Sequence, residues 1–530
     1  MNSGLRKAII FLSAMSMILS STGCGEKKQT EENGEMTISW LGIPWFGTGK
    51  EGGYAETLLE ERYDIEIKPI FFDKAGYADK KSVTMLGGEI PDLIYELDPA
   101  DLQSDANQRF IQEIPYEKIK ELAPDYYNFI NENCPEAWLY SNVDGKNYGL
   151  PNLDWGGKTP TAGIWRTDWL KNVGINKIPE TIEEFHDALY KFRHNDPDGN
   201  GKKDTYGMTG DVGSWHKMFM EFFGAYGARP FSWVKTENGI EYGGLQDNVR
   251  EALATLAQWY KEELIHPDFI SDNVYDNKKF INGDVGYFTY GGGSRINDKE
   301  LQTSLVNRIT AVNPNAAVDN AYMPKGPRGE AGNFVWGYPA HVVAFGKDCD
   351  EEKLNKLLTI MNDIIKDEDL CVKLHIGDES KWKYIDESVG LDGGIEVIDE
   401  WGQVTAEHGM GYSASAFVFF APVNASFKTA EKYTDLATKE YRAKYVPETL
   451  ALGDYFNKAD VVPSANKYFA DLRNQQIIIM TKIIRGEQDI SYYDDFVKFW
   501  ETQGGEKLTQ EANQLYDTLN NIYSQVGVDK

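Results

Sequence analysis

Followed for its alternation of apolar and polar positions, the chain opens as strand, helix, strand. Met36 to Ile43, Asp64 to Phe72 and Asp92 to Leu97 are runs rich in β-branched and aromatic residues, and Tyr54 to Arg62 lies between the first two with helical spacing. The pattern predicts a βαβ opening. Further strands are predicted at Gly163 to Arg166, Asp284 to Tyr290 and His341 to Phe345. Between them, Val249, Leu253, Leu256, Tyr260 and Leu264 recur on one helical face, as do Leu354, Leu357, Leu358, Met361 and Ile365. Helices packed on sheets make this an α/β chain. From about Glu431 the pattern turns mostly helical: Leu472, Gln476, Ile479 and Ile483 hold one face up to Gly486, and Leu508, Ala512, Leu515, Leu519 and Ile522 hold another. This predicts a helical appendix on a second lobe; size alone gives two to four compact units, since single cores stop growing near ~250 to 300 residues and the chain has 530, and a two-lobed body fits that bound.

The first 23 residues stand apart from that pattern. Arg6 and Lys7 precede a short apolar run, Ala8 to Leu19, and Ser21-Thr22-Gly23 supplies small residues just before Cys24. A run of twelve residues cannot cross a hydrocarbon core that needs about 20 apolar ones, so it reads as an export signal. A cysteine at that junction, followed by the polar stretch from Gly25 to Glu35, resembles a bacterial lipoprotein lipobox and tether, with Ser21 in place of the usual Leu. The expectation is a signal peptide over 1–23, a lipid on Cys24, and a polar tether over 24–35. Charge changes the picture further: 54 Lys and Arg against 83 Asp and Glu give −29, which excludes a generic nucleic-acid coat. After Cys24, Cys134, Cys349 and Cys371 remain, without the spacing of a disulfide framework or a zinc site.

One loop carries a sharp chemical pattern. Thr181 with Glu184 three residues on predicts a capped helix with Ile182, Phe185, Leu189 and Phe192 on its apolar face. Just past its end, near His194, Asp196-Pro197-Asp198-Gly199-Asn200-Gly201-Lys202-Lys203-Asp204 places side-chain oxygens at loop positions 1, 3, 5 and 9 and Gly at position 6. Calcium takes six to eight hard oxygen ligands, and alternate residues of a tight loop point them inward, with the position-7 carbonyl, here of Lys202, as another. Asp196, Asp198, Asn200, Lys202 and Asp204 are therefore expected to bind one structural Ca2+. Position 12, normally a bidentate Glu, is Gly207, which leaves the remaining ligands to water or to residues elsewhere. A solvated Asp/Asn/Gly turn is the competing reading.

Other chemistry is weaker. The seven histidines include no HExxH, Gly291 to Arg295 lacks the Gly-Lys-Ser/Thr of a phosphate loop, and 83 carboxylates nominate no particular acid/base pair. Thirteen Trp, 30 Tyr and 25 Phe are more informative, because several lie beside Gly or Pro in predicted loops. Flat rings there suit the apolar faces of sugars, with polar side chains taking the hydroxyls.

Several segments resemble the family 1 extracellular solute-binding proteins, lipid-anchored receptors of carbohydrate-type ABC importers in Gram-positive bacteria. They are Met85-Leu86-Gly87-Gly88-Glu89-Ile90-Pro91-Asp92-Leu93-Ile94, Asp144-Gly145-Lys146-Asn147-Tyr148-Gly149-Leu150-Pro151, Trp165-Arg166-Thr167-Asp168-Trp169-Leu170 and Trp259 to Asp268. The resemblance implies a two-lobed, venus-flytrap α/β fold with hinge crossovers, a solute cleft between the lobes and a mostly helical C-terminal extension. It places lobe 1 at 36–151 plus 323–375 and lobe 2 at 152–322 plus 376–530. It further implies a monomeric receptor on the outer face of the membrane that delivers its solute to a permease, with no enzymatic step and no nucleic-acid partner. Strand ends and crossovers are where ligands bind in open α/β sheets, so Trp40, Trp45 and Trp336 in lobe 1 and Trp155, Tyr290 and Trp401 in lobe 2 are expected to face the cleft. Trp165 and Trp169, flanking a strand-to-helix step, are expected in the core. Two alternatives remain open: an extracellular glycoside hydrolase or lyase, and a receptor for a peptide or other non-sugar solute.

Overall fold

Two sheets organise the chain in the structure, a computed structural model that describes residues 36–43, 52–153, 155–271, 277–299, 304–367 and 436–529, with short pieces between 369 and 397. The first sheet takes β1 (Met36–Gly42), β2 (Ile65–Phe71), β3 (Leu93–Glu96) and β4 (Gly149–Leu153). The second takes β5 (Ile164–Arg166), β6 (Tyr206–Met208), β7 (Val285–Phe288) and β8 (Val318–Asn320), after which β9 (Pro339–Phe345) returns to the first. The first sheet has the order β2-β1-β3-β9-β4, and the second β8-β5-β7-β6. β1 runs parallel to β2 in the register Met36↔Ile65 to Gly42↔Phe71, and parallel to β3, whereas β9 is antiparallel to both its neighbours. In the second sheet β6 and β7 are parallel and β5 is antiparallel to β7 and β8.

The predicted opening holds to within two residues at each end. Helix α1 (Tyr54–Tyr63) joins β1 to β2 and ends where Asp64 adopts a left-handed conformation, φ 54°. In the second lobe α2 (Ile182–His194) starts at Thr181, whose hydroxyl accepts the Glu184 N–H at 3.3 Å, and the Glu184 carboxylate reaches back to the N–H of Glu180 at 2.8 Å. Its buried face is Ile182, Phe185, Ala188, Leu189 and Phe192. Trp165 packs against Phe185, Phe192 and Tyr287, and Trp169 against Phe192, so both indoles are core residues as expected. Helix α3 (Asp247–Lys261) buries Val249, Leu253 and Leu256, but Trp259 closes its face in place of Tyr260, and Leu264 lies past the helix end.

The C-terminal arm consists of α4 (Ala465–Ile484), α5 (Tyr493–Thr502) and α6 (Gly505–Val526). Gly486 at φ 69° closes α4: its N–H bonds Ile483 O and the Glu487 N–H bonds Lys482 O, the two bonds of a Schellman cap. The arm is seated on the second lobe, where Trp500 stacks on Tyr242 of the hairpin Trp233–Thr236/Gly239–Tyr242 with centroids 4.1 Å apart. Gln476, fully buried, is the polar hub of this contact. It accepts from the Tyr242 hydroxyl and donates to Pro230 O and the Tyr493 oxygen, all within 2.9 Å. The arm is more than an appendix of one lobe, however: Val526 O accepts from the Tyr127 hydroxyl at 3.0 Å and Asn131 Nδ2 at 3.2 Å, both on the first lobe.

Candidate functional site

Both sheets present the ends of their parallel strands toward the two crossovers. The first runs from β4 to β5, the second from β8 to β9, and they touch where the Gly337 N–H donates to Gly157 O at 2.8 Å. Beside this contact, on the second crossover, stands Trp336. Its indole is 48% exposed and is ringed by Trp215, His216 and Phe334 at centroid distances of 5.8, 5.0 and 5.1 Å. The cluster is built from both sides. Trp215 and His216 come from the segment after β6, whereas Phe334 and Trp336 lie on the crossover, where Asn333–Val335 pairs in parallel with Ala451–Gly453 of the segment that leads into the arm.

Charged groups close the floor. The Arg473 guanidinium of α4 lies 4.4 Å over the Trp215 ring and pairs with Asp460 at 2.9 Å. The Lys217 ammonium lies 3.9 Å over Tyr290, and Lys158 Nζ lies 3.8 Å over Tyr338. Burial, reinforced by the charge on Lys217, lowers the His216 pKa to about 4, so its ring is neutral at physiological pH. Asp454, buried and accepting the Trp233 and Phe456 N–H groups, is pushed up to about 7 by desolvation. Trp215, Phe231, Phe334, Trp336, Lys458 and Arg473 line a recess of ≈ 40 Å³ behind the exposed indole, room for a small substituent and not for a ring. The Gly291–Gly293 turn after β7 is fixed by Asn320, whose side chain accepts from the Gly293 N–H at 2.9 Å and donates to Gly293 O at 3.0 Å.

Of the six aromatics expected at the cleft, the structure brings two to these strand ends with defined surroundings, Trp336 and the half-buried Tyr290. Trp155 opens the 3₁₀ turn Trp155–Lys158 on the first crossover. Trp45 and Trp401, like Cys24, lie outside the described residues. Trp40 is a correction: it is 1% exposed, and its indole folds over Gly42, where a Cβ would come within 2.8 Å of Nε1. The cause is the position of β1, an interior strand on which Ile38, Trp40 and the alternate-face Leu41 are all buried, so neither face is open to a cleft. Trp215, His216, Lys217 and Arg473 were not nominated from sequence. The available signal was that 209–217 follows a parallel strand end, as Tyr290 does.

The acidic loop folds tightly around Asn200. Asn200 Nδ2 lies 2.7 Å from Asp198 Oδ2 and 3.2 and 3.3 Å from the two Asp204 oxygens. Asp196 accepts the Asn200 and Gly201 N–H groups at 3.1 and 3.0 Å. Burial and the neighbouring Asp196 and Asp204 carboxylates raise the Asp198 pKa. The donor set is thus oxygen-rich and mutually repulsive, which suits a hard dication, although among the described residues no group of three His, Cys, Asp or Glu side chains is arranged around a metal position. Position 12 cannot contribute, because a Cβ on Gly207 would lie 2.7 Å from Leu264 O.

Comparison with known proteins agrees with this architecture. A family model described as bacterial extracellular solute-binding protein matches residues 53–363. Lipoprotein LipO of Bacillus subtilis (strain 168) is 25% identical over 533 residues, covering 97% of this chain and 99% of its own. The polygalacturonan/rhamnogalacturonan-binding protein YtcQ of the same organism is 21% identical over 537 residues, covering 96% and 97%. Among solved structures, the S. pneumoniae ABC-transporter substrate binding protein FusA, an EF-hand mutant in complex with fructo-nystose, superposes with a TM-score of 0.61 at 16% identity, covering 91% of this chain and 99% of that one. The two sheets joined by paired crossovers are the two lobes of this fold, and the chain belongs to the bacterial extracellular solute-binding protein family.

Proposed function

We propose that this protein is the lipid-anchored, extracellular receptor of an ABC importer, and that it binds an oligosaccharide between its lobes and delivers it to a permease. The observation that carries the reading is the open indole of Trp336 at the junction of the crossovers, backed by Trp215, His216 and Phe334. A pyranose face stacks on such a ring, and the small recess behind it accepts a hydroxyl or hydroxymethyl group. The polygalacturonan/rhamnogalacturonan binding named for YtcQ and the fructo-nystose bound by FusA support a saccharide solute. Contacts made from both lobes exist only in the closed state, so solute shifts the open–closed population without making or breaking a bond. In this reading Trp155, Tyr290 and Trp401 join Trp336 at the cleft, and Trp45 approaches it from the first lobe. The lobes divide as 36–151 plus 323–375 and 152–322 plus 376–530, and the receptor is a monomer held by a lipid on Cys24 after removal of residues 1–23.

The acidic loop belongs to the same proposal. Asp196, Asp198, Asn200, the Lys202 carbonyl and Asp204 bind one calcium that braces the second lobe, remote from solute. The EF-hand of FusA supports the assignment, as does the crowding of three carboxylates at the negative end of α2. Calorimetry with graded oligosaccharides tests the function, with product analysis run beside it. Saturable one-to-one binding without product is expected, and turnover of the sugar would instead establish a glycoside hydrolase or lyase.

A further inference from the structure

A second cavity lies outside the aromatic cluster, between the first lobe and the C-terminal arm. It has a volume of ≈ 540 Å³, within the range of about 300 to 1,000 Å³ that holds small-molecule ligands. One wall comes from the first lobe and carries Gln103, Leu139 and Asn142. The other comes from the arm and carries Asn466, Thr518 and Asn521. Its charged lining residues, among those described, are two carboxylates, Asp144 and Asp460. Amide and hydroxyl groups that both donate and accept, set beside apolar patches and without a lining cation, match a neutral hydroxylated ligand and not an anion.

The position of this groove is as informative as its lining. Asp460 borders both the groove and the recess behind Trp336, with Asn457 to Asp460 lining the recess and Asp460 to Pro463 lining the groove. The recess behind Trp336 and the side groove therefore adjoin at Asp460. We infer that the groove is an accessory saccharide subsite, so that the preferred solute is an oligosaccharide long enough to lie on Trp336 at one end and between the first lobe and α6 at the other. This rests on the sugar-receptor reading and adds to it the length of the ligand and the arm as part of the site. It also accounts for an arm that contacts both lobes, since a chain seated in the groove touches the first lobe and the arm together.

The test is calorimetric titration of the full chain with two neutral length ladders, fructo-oligosaccharides and malto-oligosaccharides, for the wild type, Thr518→Trp and Asn466→Leu. Thr518 points from the solvent-accessible part of α6 and bonds only its own helix, at Gln514 O, so a larger side chain there fills the groove without entering a core. For the ladder that binds, affinity is expected to rise at least tenfold from the shortest to the longest chains. Both variants should remove that gain while leaving the shortest binding chain and the melting temperature unchanged. Long chains that bind the variants as tightly as the wild type would overturn the subsite and leave the sugar receptor standing. A wild type that binds neither ladder would overturn both readings.

Discussion

Gly157 and Gly337 meet backbone to backbone. The Gly337 N–H donates to Gly157 O at 2.8 Å, and a Cβ built on Gly157 would lie 1.9 Å from Gly337 O. Gly337 itself sits at φ 81°, a conformation that favours glycine. The two crossovers can approach this closely because neither carries a side chain at the contact, and Trp336 is the residue next to it. Gly157→Ala should force the crossovers apart, destabilising by about 1 to 3 kcal/mol and weakening solute affinity together. Thermal melts and titrations of the variant check this. Wild-type values in both would show that the contact neither holds the crossovers nor sets the Trp336 ring.

Calcium should raise the melting temperature of the wild type by mass action, about 2.7 kcal/mol at 100 times the dissociation constant. Asp198→Ala should abolish that rise, while solute affinity measured below the melting transition stays unchanged. A chelated wild type that melts at the same temperature as the calcium-loaded one would reduce the loop to a turn.

The Glu221 carboxyl, buried and accepting the Tyr287 hydroxyl at 3.1 Å, is pushed up to about 8 by desolvation. In the unfolded chain it ionises near 4.5, so between about pH 4.5 and 8 the folded state holds a proton that the unfolded state has lost. Stability from this group is therefore greatest on the acid side and falls as pH rises through that window. Asp454, pushed up to about 7, adds a fall of the same sign between about pH 4 and 7. His341 acts oppositely: burial holds its pKa at about 3, so its contribution is lost as pH drops below about 6.5. Glu221→Gln keeps an acceptor for Tyr287 and removes the titration, so its melting temperature should gain on that of the wild type between pH 5 and 8. Parallel curves would contradict the assignment.

The Lys81 ammonium is buried with Glu96 at 2.5 Å and Asp105 at 2.7 Å in the first lobe. Lys81→Met leaves two carboxylates without a cation and should cost about 3 to 5 kcal/mol in a denaturant melt. A loss below 1 kcal/mol would mean that the carboxylates take up protons at no penalty.

Periodicity and capping made much of this fold legible, because they are local. Thr181, Glu184 and the face Ile182-Phe185-Leu189-Phe192 specify α2 without reference to anything distant, and the capped helix is found at those residues. Trp40 was misplaced because a strand end looks alike in sequence whether the strand is an edge or an interior one, and only the sheet order reveals that both faces of β1 are covered. Gln476 read as one member of an apolar stripe; its three hydrogen-bond partners, Pro230, Tyr242 and Tyr493, come from two other parts of the chain. At the candidate site, Trp336 could be nominated from its place near a crossover. Trp215 and His216 offered only their place after a parallel strand end, and Arg473 offered no signal, since they converge on it from segments more than 100 residues away and carry no spacing pattern.

The most direct measurement is titration of the wild type and Trp336→Ala with the oligosaccharide that binds best, read by calorimetry alongside a thermal melt. The ring is half-exposed, so its removal should change stability by no more than about 0.5 kcal/mol, while the lost stacking should weaken binding about tenfold, ~1.4 kcal/mol. Undiminished affinity in Trp336→Ala, or a variant that melts early and binds normally, would contradict the placing of the solute on this ring.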